Sequence, residues 1–265
     1  MPFLELSSHR LHYQIDAPNQ IGGDRPWLLF CNSLGTDLSM WDAQASDLAP
    51  HFRILRYDRR GHGNSSAPAA PYTLADLASD VLALLDAFDI AQTHFCGLSI
   101  GGLVGQWLAI HAGDRIGKLV LCATAAKIGT AEGWQARIDA VRQAGLGSLT
   151  AGTVERWFSP DLVASRPEFI QTMLKGFLAT SPIGYIGCCA ALAEADLRLE
   201  IGRIDNPVLA VSAEGDEVCP PTDLAFIAGQ VRLGRHMMLP GRHIVNAQDT
   251  CRFSTDMLDF LSEET

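Results

Sequence analysis

Apolar runs alternate with helix-periodic stretches along most of this chain, and the alternation breaks once. Short runs of continuous apolar character fall at Trp27-Leu28-Leu29-Phe30-Cys31, Arg53-Ile54-Leu55-Arg56-Tyr57, Thr93 to Cys96, Lys118-Leu119-Val120-Leu121-Cys122, Pro207 to Ala213 and His236-Met237-Met238-Leu239. Runs of this length without polar alternation predict buried strands of a parallel sheet. Phe3 to Leu6 and Arg10 to Ile15 predict an antiparallel hairpin ahead of them. Between the runs the period changes to that of a helix. In the clearest case Leu74, Leu77, Val81, Leu84, Leu85 and Phe88 share one face, with Thr73 as N-cap and Asp76 at the third helical position. From about Gly129 to Arg198 no strand is legible, only helix-like segments such as Ala131 to Ala144, Val154 to Phe158, Pro167 to Leu178 and Tyr185 to Leu197.

The pattern predicts an α/β core of residues 1–126 and 199–265, interrupted by a helical cap at 127–198. Ligands of open parallel sheets bind beyond the carboxyl ends of the strands, and an insertion leaving from one of those ends roofs that place. Length and composition suit one large domain or a domain with an inserted lobe. A net charge of −10 argues against nucleic acid or anionic membranes as partners. No apolar run approaches membrane-spanning length, and Met1 to Leu6 lacks the basic and apolar regions of a signal peptide, so a cytoplasmic protein is expected. The seven cysteines form no C-x-x-C pair and read as reduced core thiols, the adjacent Cys188 and Cys189 included. Self-association is left open.

Phe95-Cys96-Gly97-Leu98-Ser99-Ile100-Gly101-Gly102 ends a predicted strand in G-x-S-x-G and opens a helix. A side chain at the tip of so sharp a turn needs unusual backbone angles and glycine neighbours, and Ser99 would then stand exposed as a nucleophile. Its hydroxyl needs a base, and the base a carboxylate. The turn Glu214-Gly215-Asp216-Glu217 after one strand supplies Asp216, and the loop after the last strand supplies His243. His62, in the glycine-flanked turn of Asp58-Arg59-Arg60-Gly61-His62-Gly63-Asn64-Ser65, and His236, within a strand, read as structural. The oxyanion of such a reaction needs two backbone donors, for which the N–H groups of Leu34 and Ile100 are placed. No cluster at metal-ligand spacing and no dinucleotide or phosphate loop is present in the sequence, so neither metal nor organic cofactor is expected.

Together these residues resemble the bacterial 3-oxoadipate enol-lactonases of the α/β-hydrolase superfamily over nearly the whole chain. The resemblance rests on Asn32-Ser33-Leu34-Gly35-Thr36-Asp37-Leu38-Ser39-Met40-Trp41-Asp42, on Arg56-Tyr57-Asp58 with Arg60-Gly61-His62-Gly63, and on His94 to Ser99. Thr124 to Thr130 and, in the cap, Glu132-Gly133-Trp134 and Gly187-Cys188-Cys189-Ala190-Ala191-Leu192 add to it. The chain departs around Arg242-His243, where such enzymes have small residues before the histidine and an acidic residue soon after. The resemblance implies an α/β-hydrolase fold with a mostly parallel eight-stranded sheet. It also implies hydrolysis of a small anionic enol-lactone to 3-oxoadipate, in the catabolism of aromatic acids such as protocatechuate and catechol, without a cofactor. Trp134, Arg137 and Lys127 are the candidates for binding the substrate carboxylate. A carboxylesterase or metal-free perhydrolase with the same residues, and a non-enzymatic receptor on the same scaffold, remain the alternatives.

Overall fold

The computed structural model describes residues 2–16 and 25–263; the segment 17–24 lies outside the described residues. Eight strands form one sheet: β1 (Phe3–Glu5), β2 (Arg10–Asp16), β3 (Trp27–Cys31), β4 (Arg53–Tyr57), β5 (Thr93–Leu98), β6 (Ile116–Cys122), β7 (Val208–Ala213) and β8 (Gly234–Leu239). Their spatial order is β1-β2-β4-β3-β5-β6-β7-β8. The β1–β2 and β2–β4 pairs are antiparallel and the remaining pairs parallel. The central strands are almost wholly buried, as their largely apolar runs require.

The helices are α1 (Asp42–Leu48), α2 (Leu74–Ala87), α3 (Ile100–His111), α4 (Ala131–Ala144), α5 (Thr150–Trp157), α6 (Pro160–Ser165), α7 (Pro167–Ala179), α8 (Pro182–Glu194), α9 (Pro221–Gln230), α10 (Val245–Gln248) and α11 (Thr250–Ser262). At the start of α2, Thr73 and Asp76 close a reciprocal capping box, which satisfies two amides that the helix leaves without partners. α4 to α8 all lie between β6 and β7, with no strand among the described residues of that stretch. Inside it, Trp157, Phe177 and Tyr185 pack edge to face at 5.7 and 5.9 Å, so the insertion has an aromatic core of its own. No single described helix is long and apolar enough to cross a membrane; α7 and α8 reach that composition only together, bent by 90°.

The insertion is anchored to the sheet end by a backbone-to-backbone contact. A Cβ on Gly184 of α8 would lie 2.3 Å from the Cα of Gly61, whose φ of +74° already restricts that turn to glycine-like geometry. Gly184→Ala is expected to destabilise the fold by about 1–3 kcal/mol through this overlap. A chemical denaturation midpoint that stays at the wild-type value would show that the contact yields without cost.

Candidate active site

β3 is flanked by β4 on one side and β5 on the other, so the chain reverses its winding direction there. That switch point leaves a crevice beyond the carboxyl ends of β3 and β5. The loop after β3 carries Leu34, and the residue after β5 is Ser99. Ser99 has φ 60° and ψ −120°, a conformation rare for a residue with a side chain, and it stands between β5 and the first turn of α3. Gly97 lets the turn close, because a Cβ there would lie 2.3 Å from the carbonyl oxygen of Gly101, and Gly101 lets α3 approach β3, because a Cβ there would lie 2.3 Å from the carbonyl oxygen of Cys31.

Ser99 is 5% exposed, not open to solvent as the turn alone suggests, because the helical insertion covers it. It lines a cavity of about 290 Å³ whose wall also includes Leu34, Trp134, Arg137, Arg156 and His243. Asp216, after β7, and His243, after β8, meet at 2.9 Å between Oδ2 and Nδ1. The other Asp216 oxygen accepts from the amides of Val218 at 2.8 Å and Cys219 at 3.1 Å. Both residues are buried, at 4% and 3% exposure. The carboxylate is thus fixed from two sides, and it holds the ring through Nδ1–H, which leaves Nε2 as the proton acceptor.

Ile100 directly follows Ser99, and Leu34 lines the same cavity. Ile100 is the first residue of α3, and its N–H precedes the first helical hydrogen bond, which runs from Leu103 to the Ser99 carbonyl at 3.1 Å. The Leu34 N–H donates to no described residue. Donors left without a partner at a helix start suit an anionic oxygen.

The Arg242-His243 loop is seated on the insertion. The amides of His243 and Ile244 donate to the carbonyls of Arg156 and Trp157 at 3.3 and 3.1 Å, and the Arg242 guanidinium donates to the Glu155 carbonyl. These are terminal carbonyls of α5, which the helix cannot satisfy itself. The unusual Arg242 therefore ties the histidine loop to the same helix that places Arg156 in the cavity.

The three residues proposed from sequence for a carboxylate fare differently. Arg137 lines the cavity, where its Nη1 donates to the Tyr185 hydroxyl at 3.2 Å. Trp134 lines it too, but its indole N–H donates to the Ile128 carbonyl at 2.6 Å, so the ring offers surface and no donor. Lys127 is not in the cavity wall; it pairs with Asp196 at 3.2 Å, a residue from the far end of the insertion. Arg156 was not among the sequence candidates. It lines the cavity, has no hydrogen-bond or ion-pair partner for its guanidinium among the described residues, and burial with the nearby Arg137 charge lowers its pKa. The sequence signal for it was slight: Thr153 and Trp157 form the buried face of α5, and Arg156 lies between them on the helix.

The remaining candidates are structural. Burial and the Arg59 charge push the His62 imidazole down to about 3, and it is neutral, with Nδ1 donating to the Arg60 carbonyl. His236 faces the Ser212 hydroxyl at 2.9 Å on the edge strand β8. Cys188 and Cys189 are buried, and desolvation raises both thiols, Cys188 to about 11, so they are poor nucleophiles. Asp216, Cys219 and His243 bring ligand atoms within 4.8 Å of one another. Their geometry is that of a hydrogen-bonded cluster: both Asp216 oxygens are occupied, and burial holds the Cys219 thiol protonated.

The comparisons with known proteins agree with this architecture. The alpha/beta hydrolase fold family matches residues 26–249. The chain is 42% identical to 3-oxoadipate enol-lactonase 2 of Acinetobacter baylyi, over 87% of this chain and 86% of that protein. To 3-oxoadipate enol-lactonase 1 of the same organism it is 36% identical, over 92% and 90% of the two chains. The crystal structure of the enol-lactonase from Burkholderia xenovorans LB400 superposes with a TM-score of 0.96 at 40% identity, covering 99% of this chain and 100% of that one. This chain belongs to the α/β-hydrolase fold family and is an ester-hydrolysing enzyme of the branch that contains the enol-lactonases.

Proposed function

We propose that the enzyme opens 3-oxoadipate enol-lactone to 3-oxoadipate through an acyl group carried on Ser99. The reading rests above all on one cavity lined at once by Ser99, His243 and the guanidinium groups of Arg137 and Arg156. The first two suit an ester carbonyl, and the second two suit a carboxylate on the same small molecule. Relatives named as 3-oxoadipate enol-lactonases supply the particular substrate. The net charge of −10 repels an anion at long range, so local cations are needed, and the one acidic side chain among the described residues of the cavity wall is Glu217. Residues 127–198 act as the cap that dries this space, and the seven unpaired thiols fit the reducing cytoplasm.

In the proposed reaction His243 Nε2 takes the Ser99 proton as Oγ attacks the lactone carbonyl, and Asp216 stabilises the imidazolium. The negative oxygen of the tetrahedral intermediate lies against the Leu34 and Ile100 amides. Collapse breaks the ring C–O bond, and the departing enol oxygen receives the proton from His243. The enol remains tethered to the acyl group, so it would close the ring again until ketonisation moves its proton to carbon. Water, deprotonated by His243, then attacks the acyl carbon, and Ser99 leaves with a proton and a second carboxylate is released.

Turnover is followed as loss of enol-lactone absorbance, with p-nitrophenyl acetate as a neutral comparison ester. A charge-assisted pair is worth roughly 1.5–3 kcal/mol, so Arg137→Met and Arg156→Met are each expected to raise KM for the lactone about 10-fold or more. The neutral ester should change by less than about threefold, since it has no carboxylate to lose. Equal losses on both esters would remove the arginines from substrate recognition. A wild-type enzyme with higher kcat/KM on the neutral ester than on the lactone would overturn the substrate.

A further inference from the structure

Arg59 is a buried cation that the reaction above does not use. It is 1% exposed, and no carboxylate pairs with it among the described residues. Its Nη1 donates to the carbonyl oxygen of Ser33 at 3.3 Å, and its Nη2 donates to the carbonyl of Asn32 and lies 3.7 Å from Cys31 Sγ. The neighbouring Arg60 turns away to a two-pronged ion pair with Asp80, at 2.7 Å for each prong. An interior charge without a counter-ion is expensive. Its position is informative, because its hydrogen-bond partners are the last residue of β3 and the first two residues of the loop that follows.

The Ser33 carbonyl is one half of the peptide unit whose other half is the Leu34 N–H. In a planar trans peptide the two point in opposite directions. The oxygen side is held by Arg59 and also by Thr36, whose amide donates to Ser33 O at 3.4 Å and whose hydroxyl lies 3.0 Å from it, shared with Met40 Sδ at 2.9 Å. The N–H is thereby directed away from them, and it donates to no described residue.

We propose that Arg59 is a positioning residue for the oxyanion site, aiming and polarising the Leu34 amide through the Ser33–Leu34 peptide. The inference rests on the reading of the Leu34 N–H as an oxyanion donor. A cationic donor on the carbonyl withdraws electron density from the amide and strengthens its N–H. In a dry interior the field of the guanidinium also stays large behind that amide. The substrate oxygen carries full negative charge only in the tetrahedral state, so the benefit falls on kcat and leaves KM nearly untouched.

The test uses p-nitrophenyl acetate, which needs an oxyanion site and no carboxylate receptor, on variants checked by thermal melting. Arg59→Gln keeps N–H donors without charge and is expected to lower kcat about 30-fold with KM within about twofold. Arg59→Lys restores the charge without the fork and should recover part of that loss. Thr36→Val removes the hydroxyl that reaches this carbonyl at 3.0 Å and Met40 Sδ at 2.9 Å; it is expected to lower kcat about threefold at constant KM, and it decides the matter if the Arg59 variants do not fold. An unchanged kcat in folded Arg59→Gln, or in Thr36→Val when it stands in, overturns the proposal, as does a rise in KM with kcat kept. Ser99→Ala run alongside separates the two readings. Ester turnover that survives in Ser99→Ala removes the nucleophile, whereas its loss there beside an intact Arg59→Gln removes only the role of Arg59.

Discussion

Ser99→Ala is expected to lower kcat on the enol-lactone by on the order of 10⁵-fold to 10⁶-fold, with KM within about threefold. The alanine keeps a Cβ and so keeps the backbone demand of φ 60° at this turn, and it leaves the cavity wall otherwise intact. Substrate binding through Arg137 and Arg156 should survive, because neither guanidinium depends on the hydroxyl. What disappears is the atom proposed to carry the acyl group, and the remaining rate would come from binding and the backbone donors. The measurement is the absorbance assay at saturating lactone, with intact-protein mass spectrometry for the acyl adduct on the wild type. A variant within tenfold of wild type, or a wild type that never carries the adduct, would replace covalent catalysis by direct attack of water.

Asp216→Asn is expected to lower kcat by about 10⁴-fold while the melting temperature moves only a few degrees. The reason is the set of three donors around the carboxylate: the Val218 and Cys219 amides on one oxygen and His243 Nδ1 on the other. Backbone amides cannot exchange donor for acceptor. The asparagine carbonyl therefore turns to them, and its NH₂ faces the imidazole. His243 then answers with the other tautomer, in which Nδ1 accepts and Nε2 carries the hydrogen, so the ring cannot take a proton from Ser99. Stopped assays over extended times measure the residual rate. A loss smaller than about 100-fold would mean that Asp216 does not set the tautomer.

Where the sequence reading stopped short, local interactions were weak. β5 runs to Leu98, two residues past the expected end, because Gly97 stays extended and the turn is confined to Ser99. β6 begins at Ile116, ahead of the expected Lys118, since Gly117 interrupts the apolar run without ending the pairing. β8 is an edge strand whose exposed Arg235 and His236 hide its start at Gly234. The short helix α6 falls within the expected all-helical stretch without a periodic signal of its own, and Ser159 caps it and Pro160 opens it. Strand β3 matched residue for residue because burial on both faces leaves an unbroken apolar run, and β4 matched although Arg56 lies buried within it, paired with Asp16 and Asp42.

The residues beside the proposed chemistry followed another rule. Trp134 and Lys127 were reasonable carboxylate ligands by type, yet one spends its N–H on Ile128 and the other finds Asp196. Arg156 and Arg59 carried no distinguishing pattern of their own. The succession of strands and helices, the sharp turn at Ser99 and the order in which Asp216 and His243 follow it were determined by sequence alone, because apolar period, glycine size and chain order act over a few residues. Which cations face the cavity, and which peptide a buried guanidinium grips, was decided only by the tertiary structure. Those choices depend on how α4, α5 and α8 settle over the strand ends and on partners dozens of residues away, to which no local preference points.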